Sequence, residues 1–499
     1  MLPERRFSPG WATAALLLTA ALAASCQEAS EPTAPALAAV PQSGDPTVVS
    51  VEPDSSKRGI RLDITVRGSG FDLGSGVTLE RQGVPAFGVT TDSTDFVNHK
   101  TLVATITIAA DADTGRFDVA VLTSKGRKGI GIELFAVEYQ LAELGMFGGT
   151  WSAALAISDQ GEVVGSSCTN ECLGRAFYWT ETGGMENLGT LPGFARSGAH
   201  AITERGEVFG RAECWPGDPE CSEFGQRQLV RWDRIDGTWQ ITPLQGCSGS
   251  MVELPASFTD RFVVNDRGQC IGSKWQSTYR QLYVQTLSGG TVASEESLPL
   301  PVREGWAQAW AISNHSMVVG AAQGTRSWME PMFWYRDGTG AWTALTLPFP
   351  ERDLIARATT MSGPDAAGRM RIAGYTERQH EVRPRVYARP ILWTLEVDPS
   401  GSWHVVSLEL LRDDVRGGTG ARSYALTMND AGDIVGVAGE MPHAGAPVKW
   451  PAGGGVEVLP VPRGGTQAVP IDINNRGWII GSVWDQANGC TRAAIWWQP

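Results

Sequence analysis

The stretch that decides the fold is AISDQGEVVG, residues 156–165, because the chain repeats its pattern. An apolar arm enters a polar turn closed by glycine, and a second apolar arm ends at another glycine. Asp, Asn and Gly favour tight turns, so the stretch predicts a β-hairpin. Seven copies occur: AISDQGEVVG (156–165), AITERGEVFG (201–210), VVNDRGQCIG (263–272), AISNHSMVVG (311–320), MSGPDAAGRMRIAG (361–374), TMNDAGDIVG (427–436) and DINNRGWIIG (472–481).

Two further strands follow each hairpin, so each repeat is expected to form a four-stranded antiparallel sheet. The final glycines are 45 to 62 residues apart, which is typical of a repeat fold with variable insertions. The third strand commonly ends in tryptophan, and we expect these indoles to pack between neighbouring sheets rather than to form a ligand surface. These tryptophans are Trp179, Trp232, Trp334, Trp393, Trp450 and Trp496.

The two ends of the repeat region predict how the repeats close. The segment from Tyr139 to Leu144 has the pattern of a fourth strand, whereas the chain stops just after a third strand at Trp497. The seventh sheet is therefore complete only if the early segment joins it. A ring of sheets would also cover the apolar faces that each sheet exposes. We expect an all-β protein with a seven-bladed β-propeller over residues 138–499.

Residues 46–137 contain shorter strands with alternating apolar and polar residues, which indicates a small sandwich. Pro53, Gly59 and the stretches ITVRGSGF and RFDVAVL resemble the immunoglobulin-like IPT/TIG domain of bacterial surface proteins. That resemblance implies a spacer or a binding module placed before the propeller.

The repeats themselves resemble the HAF-type extracellular repeats of exported bacterial proteins. The stretches LGMFGGTWSAALAISDQGEVVG and LGTLPGFARSGAHAITERGEVFG carry the resemblance best, and the third and fifth repeats depart from it most. The family is defined by repetition and export. It therefore implies no established reaction.

The first 25 residues predict a cleaved export signal, with two arginines before a short apolar run. LAASC resembles a bacterial lipobox, which implies that Cys26 is acylated and that Gln27 directs the protein to the outer membrane. The alternative is an ordinary secreted protein with a chance cysteine. Residues 26–45 are rich in Pro, Ala and Ser and predict a tether. We expect a monomer that touches the membrane only through this anchor.

Composition excludes some functions and leaves others open. The net charge of −13 argues against a nucleic-acid partner, because phosphates are bound by clustered Lys and Arg. The chain has no HExxH, no GxSxG and no phosphate-binding glycine loop, so we predict no catalytic residues, metal or cofactor. Propeller enzymes can combine distant carboxylates, however, and a polysaccharide hydrolase or lyase at the central opening stays an alternative.

The cysteines of an exported chain favour disulfides. Cys168 and Cys172, and likewise Cys214 and Cys221, bracket short loops, and each pair is predicted to form a bridge. A third bridge is expected within the third repeat. The disulfide candidates are Cys168, Cys172, Cys214, Cys221, Cys247 and Cys270, which leaves Cys490 unpaired.

Loop lengths indicate where a ligand would bind. The loops between second and third strands are long, and we expect them to emerge on one face together with the connections between repeats. We predict a non-enzymatic module that binds a protein or glycan there or serves as a scaffold for partner proteins. Trp275 and Trp484 each follow a repeat glycine, so we expect these two indoles to pack rather than to bind a ligand. The candidate binding residues are Trp215, Trp275, Trp328, Arg383, Tyr387 and Trp484.

Overall fold

The protein is described by a computed structural model. The residues whose structure is described are 44–81, 83–109, 112, 114–215, 217–218, 221, 225–253, 260–276, 279–302, 305–325, 329–379, 386–412, 422–439, 445–461, 465–485 and 489–497. The predicted signal, Cys26 and most of the tether lie outside these ranges. Within them the chain forms strands, turns and loops and no helix, which confirms the all-β class. No helix in these ranges is therefore long and apolar enough to span a membrane.

The first part of the chain forms two sheets with a shared apolar core. One sheet has the order β1-β3-β7-β6 and the other the order β2-β9-β8-β4-β5. Alternate residues of β7, such as Leu102, Ala104 and Ile106, are buried against Phe117 and Phe135. The strands are β1 (Thr47–Glu52), β2 (Ser55–Ser56), β3 (Arg61–Ser69), β4 (Gly76–Arg81), β5 (Val84–Pro85), β6 (Val89–Asn98), β7 (Thr101–Ile108), β8 (Gly115–Leu122) and β9 (Lys128–Val137).

The repeats supply the remaining strands. The first three repeats and the strand before them are β10 (Gln140–Glu143), β11 (Gly148–Ile157), β12 (Val163–Thr169), β13 (Gly174–Thr180), β14 (Gly184–Asn187), β15 (Arg196–Ile202), β16 (Val208–Glu213), β17 (Arg227–Ile235), β18 (Thr238–Pro243), β19 (Met251–Glu253), β20 (Asp260–Phe262), β21 (Gln269–Gln276), β22 (Tyr279–Ser288) and β23 (Thr291–Ser297). The last four are β24 (Ala307–Ile312), β25 (Val318–Ala322), β26 (Glu330–Arg336), β27 (Trp342–Thr346), β28 (Ile355–Met361), β29 (Arg369–Gln379), β30 (Val386–Val397), β31 (Trp403–Leu410), β32 (Tyr424–Met428), β33 (Ile434–Ala438), β34 (Ala446–Trp450), β35 (Glu457–Val458), β36 (Gly465–Ile473), β37 (Ile479–Asp485) and β38 (Cys490–Trp497).

Five repeats contribute four antiparallel strands in chain order, as the sequence predicts: β11 to β14, β15 to β18, β24 to β27, β28 to β31, and β32 to β35. The third repeat departs from this pattern. Its strands are divided between a β19-β20 pair and a β21-β22-β23 sheet. A single bridge between Val264 and Cys270 joins the two arms of its hairpin.

In six of the seven hairpins, the glycine that ends the hairpin is required by a close approach of two strands. A Cβ at Gly481 would lie 2.1 Å from the carbonyl oxygen of Val469 on the neighbouring strand. A register shift between Pro470 and Asp472 brings the two backbones together at this point. Gly165, Gly210, Gly320, Gly374 and Gly436 face a carbonyl oxygen in the same way. The repeated glycine thus follows from packing of the backbone.

The early strand completes the seventh sheet. β10 pairs with β38 in antiparallel register from Gln140 opposite Trp497 to Glu143 opposite Ala494. The Leu144 N–H continues the pairing with a 2.9 Å hydrogen bond to the carbonyl of Ala493. The free edge that the seventh repeat would otherwise expose is therefore covered by a strand from before the first repeat.

Apolar clusters join each repeat to the next. Separate clusters combine residues of the first and second repeats, and so on to the sixth and seventh. One further cluster combines the seventh repeat with the first, because Ile480 and Ile495 pack with Ile157 and Val163. Each sheet buries both faces in this way.

The third-strand indoles also connect neighbouring repeats, as predicted. The Trp496 indole N–H donates a 2.8 Å hydrogen bond to the carbonyl of Pro460, which follows the fourth strand of the preceding repeat. Trp334, Trp393 and Trp450 make the equivalent bonds to Pro299, Pro348 and Arg412. All four are fully buried, so these rings are core and not a binding surface.

Two of the three predicted disulfides are present, Cys214–Cys221 and Cys247–Cys270. The bridge predicted between Cys168 and Cys172 is not formed. The Cys168 sulfur is buried against β11, where it accepts the N–H of Thr150 at 2.9 Å. Cys172 lies in the exposed turn with a left-handed backbone, so its position in the loop does not require a bond to its neighbour. Cys490 is a buried free thiol.

The substitution Gly481→Ala tests the role of the closing glycine. It forces a methyl group against the Val469 carbonyl, and overpacking of this kind costs about 1–3 kcal/mol or more. We expect a clear fall in the melting temperature measured by calorimetry. Gly453→Ala is the matched control, because a Cβ there meets no atom within 4 Å. Equal melting temperatures for both variants would contradict the packing argument.

Candidate functional site

The hairpin turns are linked to one another by their fourth residues, and we call this chain of hydrogen bonds the turn relay. In each link the backbone N–H of the fourth residue of one turn donates to a side-chain oxygen of the fourth residue of the next. The links run from Asp159 to Glu204, Glu204 to Asp266, Asp266 to Asn314, Gly363 to Asp430, Asp430 to Asn475 and Asn475 to Asp159, at 2.7 to 2.9 Å.

The last link joins the seventh turn to the first. The Asn475 amide also donates to the second carboxylate oxygen of Asp159 at 2.9 Å. A parallel bond runs from the Asn474 amide to the Ser158 carbonyl, and it matches the bond from Asn429 to Asn474 one repeat earlier. The junction between the chain's last and first repeats is therefore bonded like the junction between consecutive repeats.

One link is missing, between the fourth and fifth turns. Gly363 is the third residue of the fifth copy, but its N–H makes the bond that the fourth residue makes in the other turns, and it has no side chain to accept a hydrogen bond in return. The Asn314 N–H makes no hydrogen bond to any residue that the structure describes. A cavity of about 430 Å³ lies at this point.

The relay brings several carboxylates together, and it affects how one of them ionises. Partial burial, followed by the nearby carboxylates of Asp159, Asp266 and Glu162, raises the pKa of Glu204 to about 7. The N–H of Asp159, which donates to both Glu204 oxygens, opposes this shift. Glu204 therefore holds its proton to a higher pH than an ordinary glutamate.

A buried ion pair connects the third and seventh repeats, which are not neighbours in the chain. The Arg261 guanidinium lies 3.8 Å from the Asp472 carboxylate, and the two side chains are only 14% and 22% exposed. Asp472 also accepts bonds from the Ile157 N–H and the Thr427 hydroxyl, of the first and sixth repeats. Burial raises the pKa of Asp472. One carboxylate thus ties four repeats together.

A buried histidine lies beside this pair. Burial and then the nearby Arg211 lower the pKa of His200 to about 4, so its ring is neutral at pH 7. Its Nδ1 lies 2.7 Å from the Asp260 carbonyl, and the neutral ring donates a hydrogen bond there. The Asp260 carboxylate pairs with Arg211. The imidazole is a structural donor rather than a free base.

Three of the predicted binding residues lie elsewhere, at the ends of second strands. Trp215 follows β16 and is 51% exposed, and Trp275 and Trp484 are 71% and 39% exposed near the ends of β21 and β37. Both Trp275 and Trp484, which the sequence analysis expects to pack, are exposed, and Trp275 is the more exposed of the two. Tyr387 is half-buried in β30. Trp328 and Arg383 lie outside the described residues.

Trp215 is held more firmly than a typical exposed side chain. The Arg196 guanidinium lies 4.5 Å from the centroid of its ring, and both Arg196 and the Trp215 N–H bond to the Asp218 carboxylate at 2.7 to 2.8 Å. Hydrogen bonding to Arg196 lowers the pKa of Asp218. The Cys214–Cys221 disulfide closes the same loop. We call Arg196, Trp215 and Asp218 the Trp215 cluster.

The turn relay was not expected from the sequence, although a signal for it exists. Six of the seven turns carry Asp, Glu or Asn at the fourth position, and all three side chains offer an acceptor oxygen. No group of three or more His, Cys, Asp or Glu residues in the described ranges is arranged to hold a metal ion. The relay carboxylates act as hydrogen-bond acceptors.

Comparison with known proteins adds little. No protein-family model and no curated protein matches the sequence. Among solved structures, puromycin hydrolase aligns at 15% identity with a TM-score of 0.34, over 89% of this chain and 58% of that one. A mutant of Aleuria aurantia lectin in complex with Fucα1-6GlcNAc aligns at 12% identity with a TM-score of 0.29, over 62% of this chain and 96% of that one. The alignments are too weak to bear on function.

The raised pKa of Glu204 makes a pH-dependent prediction. Because the folded-state pKa of about 7 is above the ordinary value of 4.5, the protonated carboxyl stabilises the fold below pH 4.5, and this contribution is lost as the pH rises through 7. Glu204→Gln keeps an acceptor and removes the charge. We expect its melting temperature to match wild type at pH 4.5 and to exceed it by roughly 2 °C at pH 8.

Glu181→Gln is the control for this experiment, because Glu181 lies exposed in the turn before β14. The melting temperature of Glu181→Gln should differ from that of wild type by the same amount at both pH values. If Glu204→Gln behaved in the same pH-independent way, the carboxyl would not be strained by the relay.

Proposed function

We propose that the protein is a non-enzymatic binding module that presents a glycan- or protein-binding surface outside the bacterial cell. In this proposal the chain is an exported HAF-type repeat protein. Its repeat sheets are the seven blades of a closed β-propeller, residues 46–137 are an IPT/TIG-like immunoglobulin domain, and acylated Cys26 anchors the protein to the outer membrane. The pairing of β10 with β38 and the relay link from Asn475 to Asp159 support the closed ring.

The Trp215 cluster carries the assignment of binding. An exposed indole presents a large apolar face, and such rings stack on sugars or anchor protein partners. Here Arg196, Asp218 and a disulfide fix the ring before any ligand arrives, so little side-chain entropy is lost on binding. Trp275 and Trp484 occupy the equivalent ends of second strands. In a propeller all these strand ends emerge on one face.

The contact between Arg261 and Asp472 argues against an open catalytic channel. In a ring of seven sheets the third and seventh repeats face each other across the centre. The Arg261 side chain would then reach across the centre, where its guanidinium lies 3.8 Å from the Asp472 carboxylate and donates a 3.3 Å hydrogen bond to the carbonyl of Ile471. Such a contact across the centre favours a binding module over an enzyme that takes substrate into an open channel.

A polysaccharide hydrolase or lyase is the second candidate, because the relay brings carboxylates together and Glu204 has a pKa suited to a general acid. The hydrogen bonds oppose this function. Both oxygens of Asp159 accept from Asn475, and both oxygens of Glu204 accept from Asp159. These carboxylates are engaged by the backbone and amides of the fold. Release of reducing ends from polysaccharides by wild type, and its loss in Glu204→Gln, would favour the hydrolase.

Substitution of the exposed indoles tests the binding function. On a glycan array, and in capture from envelope extracts, we expect Trp215→Ala to weaken binding at least about tenfold, because central aromatic residues dominate binding energies. Trp275→Ala should weaken it less, since that ring lacks the Arg196 and Asp218 contacts.

The matched control is Ile235→Ala, which removes a side chain of similar exposure, 47%, at the turn between β17 and β18. It should bind like wild type. If Trp215→Ala bound every ligand as tightly as the control, the Trp215 cluster would not be the binding surface.

A further inference from the structure

The cavity at the interrupted relay is built by four repeats. It is lined by turn residues of the third, fourth, fifth and sixth repeats, among them Asp266, Asn314, His315, Gly363 and Asp430. Its volume of about 430 Å³ falls within the roughly 300–1,000 Å³ of small-molecule sites. It lies at the turns, whereas the Trp215 cluster lies at the opposite ends of the strands.

The cavity contains a hydrogen-bond donor that has no acceptor among the residues that the structure describes. In the six other turns the N–H of the fourth residue bonds to an oxygen of the next turn. Asn314 is the exception, because the next turn has Gly363 in that place. The position that a side-chain oxygen would fill is therefore open, and a ligand oxygen there completes the relay.

The same cavity offers acceptors. Each oxygen of Asp266 receives one bond, from the Glu204 N–H and from the Asn314 amide. Each oxygen of Asp430 receives one bond, from the Gly363 N–H and from the Asn475 amide. A carboxylate has about four lone-pair positions, so both groups retain capacity for a ligand that donates.

We propose that this cavity binds a neutral saccharide through its hydroxyl groups. A hydroxyl both accepts from the Asn314 N–H and donates to the carboxylates, which neither an anion nor a metal cation can do. Asp266 and Asp430 repel anions. Val264, Ile312 and Met361 supply apolar wall for the C–H faces of a sugar ring. The inference rests on the proposed function for its class of ligand, but the site shares no residue with the Trp215 cluster.

The substitution Gly363→Asn tests the proposal by restoring the missing link. A Cβ at this position would lie 3.3 Å from Asp430 Oδ1, and its next contact is 3.8 Å away, so the side chain fits after a small adjustment. The introduced amide should accept from the Asn314 N–H and donate to Asp430, just as Asn475 accepts from the Asp430 N–H and donates to Asp159. We expect a higher melting temperature together with loss of saccharide binding. Gly363→Ala adds the Cβ alone and should keep binding close to wild type.

Binding is followed at His315, whose exposed ring lines the cavity and is one of six histidines in the chain. The probes are the methyl α-glycosides of glucose, mannose, galactose and fucose, with calcium chloride and sodium acetate in parallel. The imidazole proton signal, assigned with His315→Gln, should shift with at least one glycoside in wild type and Gly363→Ala, but not in Gly363→Asn.

Three results would overturn the inference: no glycoside shifts the signal, calcium or acetate alone shifts it, or the glycoside shift persists in Gly363→Asn. The outcome is separate from that of the proposed function. Trp215→Ala should leave the glycoside titration of His315 unchanged, so either site can fail while the other stands.

Discussion

The structure of the repeat region depends on the pairing of β10 with β38. Each repeat sheet has two apolar faces, and a linear stack would leave one face and one strand edge exposed at each end. The pairing removes the edge, and the cluster around Ile157 and Ile480 removes the faces. The relay bond from Asn475 to Asp159 repeats at this junction the bond that links consecutive turns elsewhere. Closure makes the last repeat equivalent to the others.

Most polar groups near the turns serve this architecture. The relay needs only an oxygen at the fourth position, which explains why Asp, Glu and Asn alternate there without regard to charge. The cost appears at Glu204, where partial burial and then the neighbouring carboxylates raise the pKa and disfavour ionisation. Because the fifth repeat carries Gly363, the hydrogen bond between the fourth and fifth turns is missing. The Asn314 N–H is then available as a donor beside a cavity. Departure from the repeat, rather than the repeat itself, is what creates a site.

Much of this fold could be predicted from the sequence. The order of the strand patterns, which start with a fourth strand at Tyr139 and stop after a third strand at Trp497, was sufficient to place β10 in the last sheet. A four-stranded sheet that lacks its fourth strand can be completed only by a strand from another part of the chain. The buried indoles followed from their position at the end of third strands. The Cys214–Cys221 disulfide followed from spacing, and the Cys247–Cys270 disulfide from the place of both cysteines in the third repeat. The Cys168–Cys172 bridge did not form, because spacing carries no information about which way a sulfur points.

The candidate sites were harder to predict, since they depend on contacts between residues far apart in the chain. Arg261 and Asp472 lie in the third and seventh repeats, far apart in the chain, and no local sequence pattern indicates that they meet. Trp275 is 71% exposed although its backbone pairs with Arg280 in the sheet, so its place in a strand does not indicate whether the indole packs. The fixed geometry of Trp215 requires Arg196, which lies in the preceding strand of the same repeat. Sequence patterns record periodicity, but these contacts are set by the closure of the sheets.

Hydrogen–deuterium exchange of the segment from Gln140 to Glu143 and of β38 tests the closure most directly. The account predicts that amides of both segments exchange as slowly as those of β37, an interior strand of the same sheet, and that deleting residues 140–143 releases the outer amides of β38. Fast exchange of both segments in the intact protein, at the rate of an unpaired edge, would contradict a closed arrangement of the repeats.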